Sequence, residues 1–407
     1  MNTAIRHSAG ALRAGFAALA ALLLAAGCGG GGGDNMPSGR AFTEGTITGF
    51  GSIIVNGIRF DESTAQVSDD DDQARDKSEL KLGMNVEVES SDIDRASNSA
   101  KASHVRFGAA IIGPVSAIST GTTPKTLTVL DQVVEISDTT VFDESLANGL
   151  DSIKINDVIE VHALLDTASG HYFAKRIEPD PAATVFKLRG VVAELDVTAK
   201  TFKIGGALIN FAGVAAADPP NNFANGSKVR VRLQTTKNGS GQWVAISIRA
   251  GERRVEDQDE AEVHGTITDF TSLASFSVNG LPVDASKAAF PDGTAGIQKG
   301  AEVEVEGAIV SGVLVATKVE LEDQHRNDDR NLNELHGLIS GLDTGTKTFI
   351  VRGVTVHYSS ATVFQGGTES SLANGKLVEV KGPLNADGTM IEASFIGFES
   401  PPMMSPM

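Results

Sequence analysis

Ser275-Phe-Ser-Val-Asn-Gly-Leu-Pro-Val283 is the stretch that decides how this chain is built. Phe276 and Val278 alternate with serines, the period of a strand that buries one face and wets the other. Asn279-Gly280 then interrupts the alternation, and Leu281 and Val283 resume it. Asn-Gly is the strongest short hairpin signal, because a type I′ turn needs positive φ at both central residues. The stretch therefore predicts two short strands joined by a tight turn. The same pattern recurs at Ser52 to Phe60, Thr126 to Val134, Thr201 to Ile209 and Thr348 to Val356. Asn56-Gly57, Gly205-Gly206 and Arg352-Gly353 occupy the turn in three of them.

Working outward, each hairpin is preceded by a segment of the form Gly-x-Ile/Val-Ala/Ser/Thr-x-apolar. It begins at Gly45, Gly113, Gly190, Gly265 and Gly337. Each hairpin is followed by an alternating run that starts just after a Gly or Asn. The copies are Gly83 to Glu89, Asn156 to His162, Gly226 to Arg232, Gly300 to Glu306 and Gly375 to Lys381. A last Ala-x-x-apolar strand closes each unit, at Ala102 to Val105, Ala174 to Ile177, Ala245 to Ile248, Ala316 to Val319 and Ala393 to Ile396. A repeated unit of about 65 residues with about five strands and hardly any helix is best satisfied by a small closed barrel, which leaves no bare sheet edge.

The expected fold is therefore all-β, a tandem array of five small antiparallel β-barrels of OB-like topology. The expected barrel spans are 44–108, 110–180, 187–250, 262–322 and 334–399. Charged stretches such as Glu252 to Glu262 and Glu320 to Arg330 are expected to be solvated linkers, giving an elongated rod. In the fourth unit Val303 and Val305 should point into the core while Glu302, Glu304 and Glu306 face water.

The N-terminus reads as a targeting segment. Arg6 and Arg13 precede an apolar run, Phe16 to Ala26, too short to span a bilayer. It ends at Leu24-Ala25-Ala26-Gly27-Cys28, and small residues before a Cys resemble the lipobox of bacterial lipoproteins. That resemblance implies a signal peptide over 1–27, cleavage before Cys28 and acylation of that residue. Gly29 in place of Asp implies the outer membrane. Gly29 to Gly33 and the residues up to 43 read as a flexible tether. Taken with this leader, Gly49 to Asp61, Leu82 to Glu89 and Gly113 to Ile118 resemble a bacterial family catalogued as domain of unknown function 5666. The likeness covers nearly all of 44–399, and the third unit departs most, with Arg230 and Arg232 where Glu is usual. The family implies an exported, repeat-built β-protein and no activity, cofactor or catalytic residue.

Composition narrows the function further. Hydrophobic residues make up 41% of the 407, enough for packed cores, but aromatics are only 5%. The net charge of −18 repels nucleic-acid phosphates and anionic surfaces. Cys28 is the only cysteine, so no cysteine-rich metal site and no nucleophilic thiol is expected once it is acylated. No histidine sits in H-x-H or H-E-x-x-H spacing, and His264 and His336 read as equivalent residues preceding the first-strand glycines. Asp69 to Asp72 reads as a solvated loop with a weak divalent-ion site as its alternative, because a straight acidic run lacks the spacing of a calcium loop. The reading is a non-enzymatic, lipid-anchored envelope protein without cofactor, catalytic residue or metal ligand. It meets the membrane through acylated Cys28, has an envelope protein as its possible partner and binds no nucleic acid. A ligand- or cation-binding lipoprotein and an envelope hydrolase are the alternatives.

Overall fold

Alternation and turn chemistry translate directly into strands in the computed structural model, which describes residues 41–216, 218–251, 255–322 and 332–399. The leader, Cys28 and the tether up to residue 40 lie outside the described residues; Ala41, Phe42 and Thr43, expected as the end of the tether, are instead buried at the start of a strand. Barrel 1 comprises β1 (Ala41–Phe50), β2 (Ile53–Val55), β3 (Ile58–Asp61), β4 (Gln66–Asp69), β5 (Asn85–Ser90) and β6 (Ser99–Phe107). β1 pairs antiparallel with β2 and β5, β2 with β3, and β5 with β6. β3 runs parallel to β6 and closes the ring, and β4 adds parallel to the far end of β6. One parallel contact in an otherwise antiparallel five-stranded ring is the OB-like arrangement expected.

Barrel 2 repeats it with β7 (Ile111–Ser119), β8 (Lys125–Val129), β9 (Gln132–Ile136), β10 (Val141–Phe142), β11 (Val158–Leu165) and β12 (Tyr172–Pro179). Barrel 3 uses β13 (Phe186–Val191), β14 (Ala193–Asp196), β15 (Thr201–Ile204), β16 (Ala207–Asn210), β17 (Lys228–Leu233) and β18 (Trp243–Ala250). Barrel 4 has β19 (Gln258–Ser272), β20 (Ser275–Val278), β21 (Leu281–Asp284), β22 (Glu302–Val310) and β23 (Val313–Leu321). Barrel 5 has β24 (Asn333–Asp343), β25 (Thr348–Val351), β26 (Val354–His357), β27 (Val363–Gln365), β28 (Leu377–Gly382), β29 (Ile391–Glu392) and β30 (Phe395–Phe398). Equivalent strands pair alike, including the parallel closures β9–β12, β16–β18, β21–β23 and β26–β29. No helix among the described residues is long and apolar enough to cross a membrane.

The Gly or Asn before each fourth-strand run has a backbone reason. Gly83, Asn156, Gly226, Gly300 and Gly375 all have φ between 74° and 88°, the left-handed region where a side chain other than that of Gly or Asn is strained. The second barrel makes its hairpin turn with Leu130 and Asp131, both at positive φ, without any glycine.

The barrels do not lie in a row, and the rod expectation is overturned. The first strand of a barrel overshoots its ring, and its unpaired backbone takes a strand from another barrel. Ala41 to Glu44 of β1 pair in parallel with Glu260 to Val263 of β19. Gly49 and Phe50 at the other end of β1 pair with Glu334 and Leu335 of β24. β7 and β13 join barrels 2 and 3 at Ile111 and Ile112. Barrel 1 is thus the hub for barrels 4 and 5, over 200 residues away in sequence. The apolar cores follow suit: barrels 1 and 5 share one buried cluster, barrels 2 and 3 another, and Phe42 of barrel 1 enters the core of barrel 4. The expected linker 252–262 is likewise not all solvated, since its last residues belong to β19 and Glu262 is buried.

Candidate functional site

The outward faces of a small barrel carry the polar half of each alternating strand. Here those faces meet one another, so the chemistry of the molecule concentrates at the junctions.

Asp69 to Asp72 sits at the junction of barrels 1 and 3 and is not a solvated loop. Asp69 Oδ1 accepts from the backbone N–H of Asp71 and Gln73, and its Oδ2 from Arg75 Nε at 3.0 Å. Asp70 is buried, with 5% of its surface exposed. Lys187 Nζ donates to its Oδ1 at 2.6 Å, Arg189 Nη2 to its Oδ2 at 2.9 Å, and Arg230 Nη1 lies at 3.5 Å. Asp71 takes Arg230 at 3.0 Å and Asp72 takes Arg106 at 2.5 Å. Burial alone would push the Asp70 carboxyl up, but Lys187, Arg189 and Arg230 together hold it at about 2. Of the two arginines that set the third unit apart, Arg230 is thus a counter-charge of the acidic run, joined there by Lys187 and Arg189. Protein cations contact all four of these carboxylates.

Barrels 2 and 4 meet through Glu302, which is buried rather than facing water as expected. Lys175 donates to its Oε1 at 2.7 Å and His264 Nε2 lies 3.1 Å away. Burial opposes ionisation, yet Lys175 and His264 hold the carboxyl well below its ordinary range. Thr266 Oγ1 donates to the Leu165 carbonyl, and Lys228 of barrel 3 reaches Asp269 at 3.0 Å. Between barrels 1 and 4, Arg95 bridges Glu260 and Glu262. Burial and the neighbouring Glu304 push the Glu262 carboxyl up to about 7, against the pull of Arg95. Between barrels 1 and 5, Arg59 pairs with Glu334, and His336 contacts Glu334, Glu379 and Glu399. His264 and His336 are thus equivalent in position, as expected, but each sits in a junction.

A cavity of about 130 Å³ lies where barrels 1 to 4 converge. Asn85, Arg106, Thr167, Lys228, Thr268 and Asn279 face it among others. Asn279, the hairpin residue of the deciding stretch, crosses the junction to donate to Glu44 Oε1 at 2.8 Å. Ordinary ligand pockets measure about 300–1,000 Å³, so this one is small for a metabolite.

Three clusters unite groups that could ligate a metal: Glu160, His162 and Glu178; Glu334, His336 and Glu379; and Glu262, Glu304 and Glu306. Sequence spacing passes over all three because each draws on two strands. The available signal was Glu-x-His on an alternating strand, which puts both side chains on one face. The remaining histidines have ordinary partners: His104 contacts Ser68 Oγ at 2.9 Å, His171 Glu135 at 2.5 Å and His357 Glu392 at 2.6 Å. His325 and Cys28 lie outside the described residues.

These features define the class: a multi-barrel all-β protein whose repeated five-stranded units are joined through charged faces. Residues 112–178, 264–320 and 336–396, the bulk of barrels 2, 4 and 5, match the family described as "Domain of unknown function (DUF5666)". The chain thus carries three tandem regions that match that family. Barrels 1 and 3 share the topology. No curated protein matches the chain. Among solved structures, a multidomain protein with nucleic acid binding domains from Streptococcus pneumoniae is similar over 53% of this chain and 74% of its own. The identity is 12% and the TM-score 0.15, so the likeness carries no argument about this chain.

Proposed function

We propose that the protein is an exported, lipid-anchored and non-enzymatic module of the bacterial outer membrane, in which the five barrels form a scaffold for contact with other envelope components. The observation that carries this reading is how the ionisable groups of the barrel faces are used. Asp70, Glu302 and Glu334 are each engaged by cations or histidines of another barrel rather than arrayed around a substrate-sized cleft. For the anchor, support comes from the lone Cys28 at the end of the Phe16 to Ala26 run, with a Gly-rich spacer behind it. Several acyl chains on one residue hold a protein stably at a bilayer, at roughly 0.8 kcal/mol per buried methylene.

Metabolic labelling with a fatty-acid analogue tests the anchor. The wild type should be labelled and recovered in the outer-membrane fraction, and Cys28→Ala should be neither. Label that persists on Cys28→Ala refutes it. Cross-linking in intact envelopes tests the scaffold role, which predicts a reproducible envelope protein partner.

A further inference from the structure

Glu160 and His162 alternate along β11, so both side chains leave the outward face of barrel 2. Glu178 stands opposite Glu160 on β12. One ligand atom from each of the three lies within 4.8 Å of the others. His162 is fully buried, with 0% exposed. Its Nε2 is 3.2 Å from Glu160 Oε1 and 3.6 Å from Glu178 Oε1. Neither contact is aligned as a hydrogen bond, and neither ring nitrogen makes one. An unpartnered buried polar group is costly and needs a reason.

The distances supply one. A charge-assisted N–H···O bond spans about 2.7–2.9 Å. Ligand atoms around a tetrahedral zinc, at bonds of about 2.0–2.2 Å, sit about 3.3–3.6 Å apart. The two measured separations match the second case better than the first. A metal on Nε2 leaves one ring nitrogen without a partner where the metal-free ring leaves two.

The surroundings hold the cluster in this form. Arg176 Nε and Nη2 donate to Glu178 Oε2 at 3.2 and 3.1 Å, which turns Oε1 toward His162. Arg176 is itself fixed by Asp143 Oδ2 at 2.7 Å and the Leu82 carbonyl at 3.3 Å. Such outer contacts orient metal ligands. Asp143, at 2.7 Å from Arg176, adds a further carboxylate. Carboxylates therefore outnumber the one guanidinium, and the cluster favours added positive charge. The other two clusters differ. Arg59 and Lys381 already pair with Glu334. Glu262, Glu304 and Glu306 offer no nitrogen ligand, and Arg95 occupies Glu262.

We propose that Glu160, His162 and Glu178 form a binding site for a divalent transition-metal ion of the zinc class. Water completes the coordination from the side where the Glu160 and Glu178 side chains remain 22% and 18% exposed. This site is additional to the scaffold reading and does not depend on it.

The test uses the full chain after chelator treatment, titrated with Zn²⁺ by calorimetry and with Co²⁺ by visible absorption. One equivalent of Zn²⁺ should bind, and Co²⁺ should show the strong visible bands of four-coordinate cobalt. His162→Gln and Glu160→Gln should each weaken zinc binding at least tenfold and remove those bands. Cys28→Ala, which removes the only thiol, and Glu334→Gln should leave both readouts intact. Should His162→Gln fail to fold by circular dichroism, the partly exposed Glu160→Gln decides the matter. Failure of the wild type to bind one equivalent, or undiminished binding by Glu160→Gln, overturns the proposal.

Discussion

Asp70→Asn tests the arrangement of the barrels most directly, because it removes a charge from a junction without changing its shape. Asp70 is 5% exposed and is engaged by Lys187, Arg189 and Arg230 of barrel 3. Its carboxyl is held at about 2 against an ordinary 3.8. That difference corresponds to about 2 kcal/mol of stability. Leaving the cations uncompensated raises the expected loss to about 3–5 kcal/mol, the range for breaking a buried pair. The folded carboxyl is the stronger acid, so its contribution is complete above pH 3.8 and disappears as pH falls through 2. Trp243 is the only tryptophan and packs edge-on against Phe186 in barrel 3. Its fluorescence during urea unfolding therefore reports the barrel that loses its counter-charge. The variant should be less stable than wild type at pH 7, and the gap should narrow below about pH 4. Pairing Asp70→Asn with Arg230→Gln should cost less than the sum of the single changes. A loss under 0.5 kcal/mol that does not vary with pH would refute the junction as described and restore the rod. Small-angle scattering offers an independent check, since about 360 residues folded as one body have a radius of gyration near 21 Å.

Other predictions concern the same junctions. The Glu262 carboxyl is raised to about 7, so the folded state holds its proton more tightly and wild-type stability should fall as pH rises from 4.5 to 7; Glu262→Gln should flatten that slope in thermal melts and be more stable than wild type at pH 8, by up to about 3 kcal/mol. Strand alternation alone predicts that Glu302→Gln and Glu306→Gln are equally harmless. Glu302 is buried against Lys175, so chemical denaturation should show a loss of about 2–4 kcal/mol for Glu302→Gln and under 0.5 kcal/mol for Glu306→Gln. Gly300→Ala and Gly226→Ala both place a side chain at a φ of 87–88°. A Cβ on Gly300 would also stand 2.4 Å from Asp166 Oδ1 of barrel 2, whereas one on Gly226 meets nothing within 4 Å. Gly226→Ala should cost about 1–2 kcal/mol in urea unfolding, and Gly300→Ala measurably more.

Much of the barrel itself is legible in the sequence. Val303 and Val305 are fully buried as alternation requires, and so are the repeated alanines of the closing strands. The left-handed position before each fourth-strand run is marked by Gly or Asn in every unit, whereas Leu130, Asp131, Glu194, Lys200, Ser311 and Arg352 take positive φ without such a mark. The candidate site was far less legible. Asp69 to Asp72 is visible as charge, but the burial of Asp69 and Asp70 is not, and of their basic partners in unit 3 only Arg230 stands out in the sequence as a departure from the pattern. The Glu160, His162 and Glu178 cluster was missed, because its third member comes from a neighbouring strand and carries no spacing signal.

The sequence by itself determined what each barrel is. Strand period, positive-φ turns and small residues in the closing strand act within about 65 residues, where local geometry and one buried face leave a single satisfactory arrangement. Only the tertiary structure decided what the outer faces do. An outward Glu has the same place in the alternation whether it meets water or a lysine of another barrel, and the pairings that settle the matter, Asp70 with Arg230 or Arg59 with Glu334, join residues 160 and 275 positions apart. Desolvation and charge complementarity operate through space. Hence the same period-2 pattern leaves one glutamate at the surface and draws Glu302 into a buried ion pair.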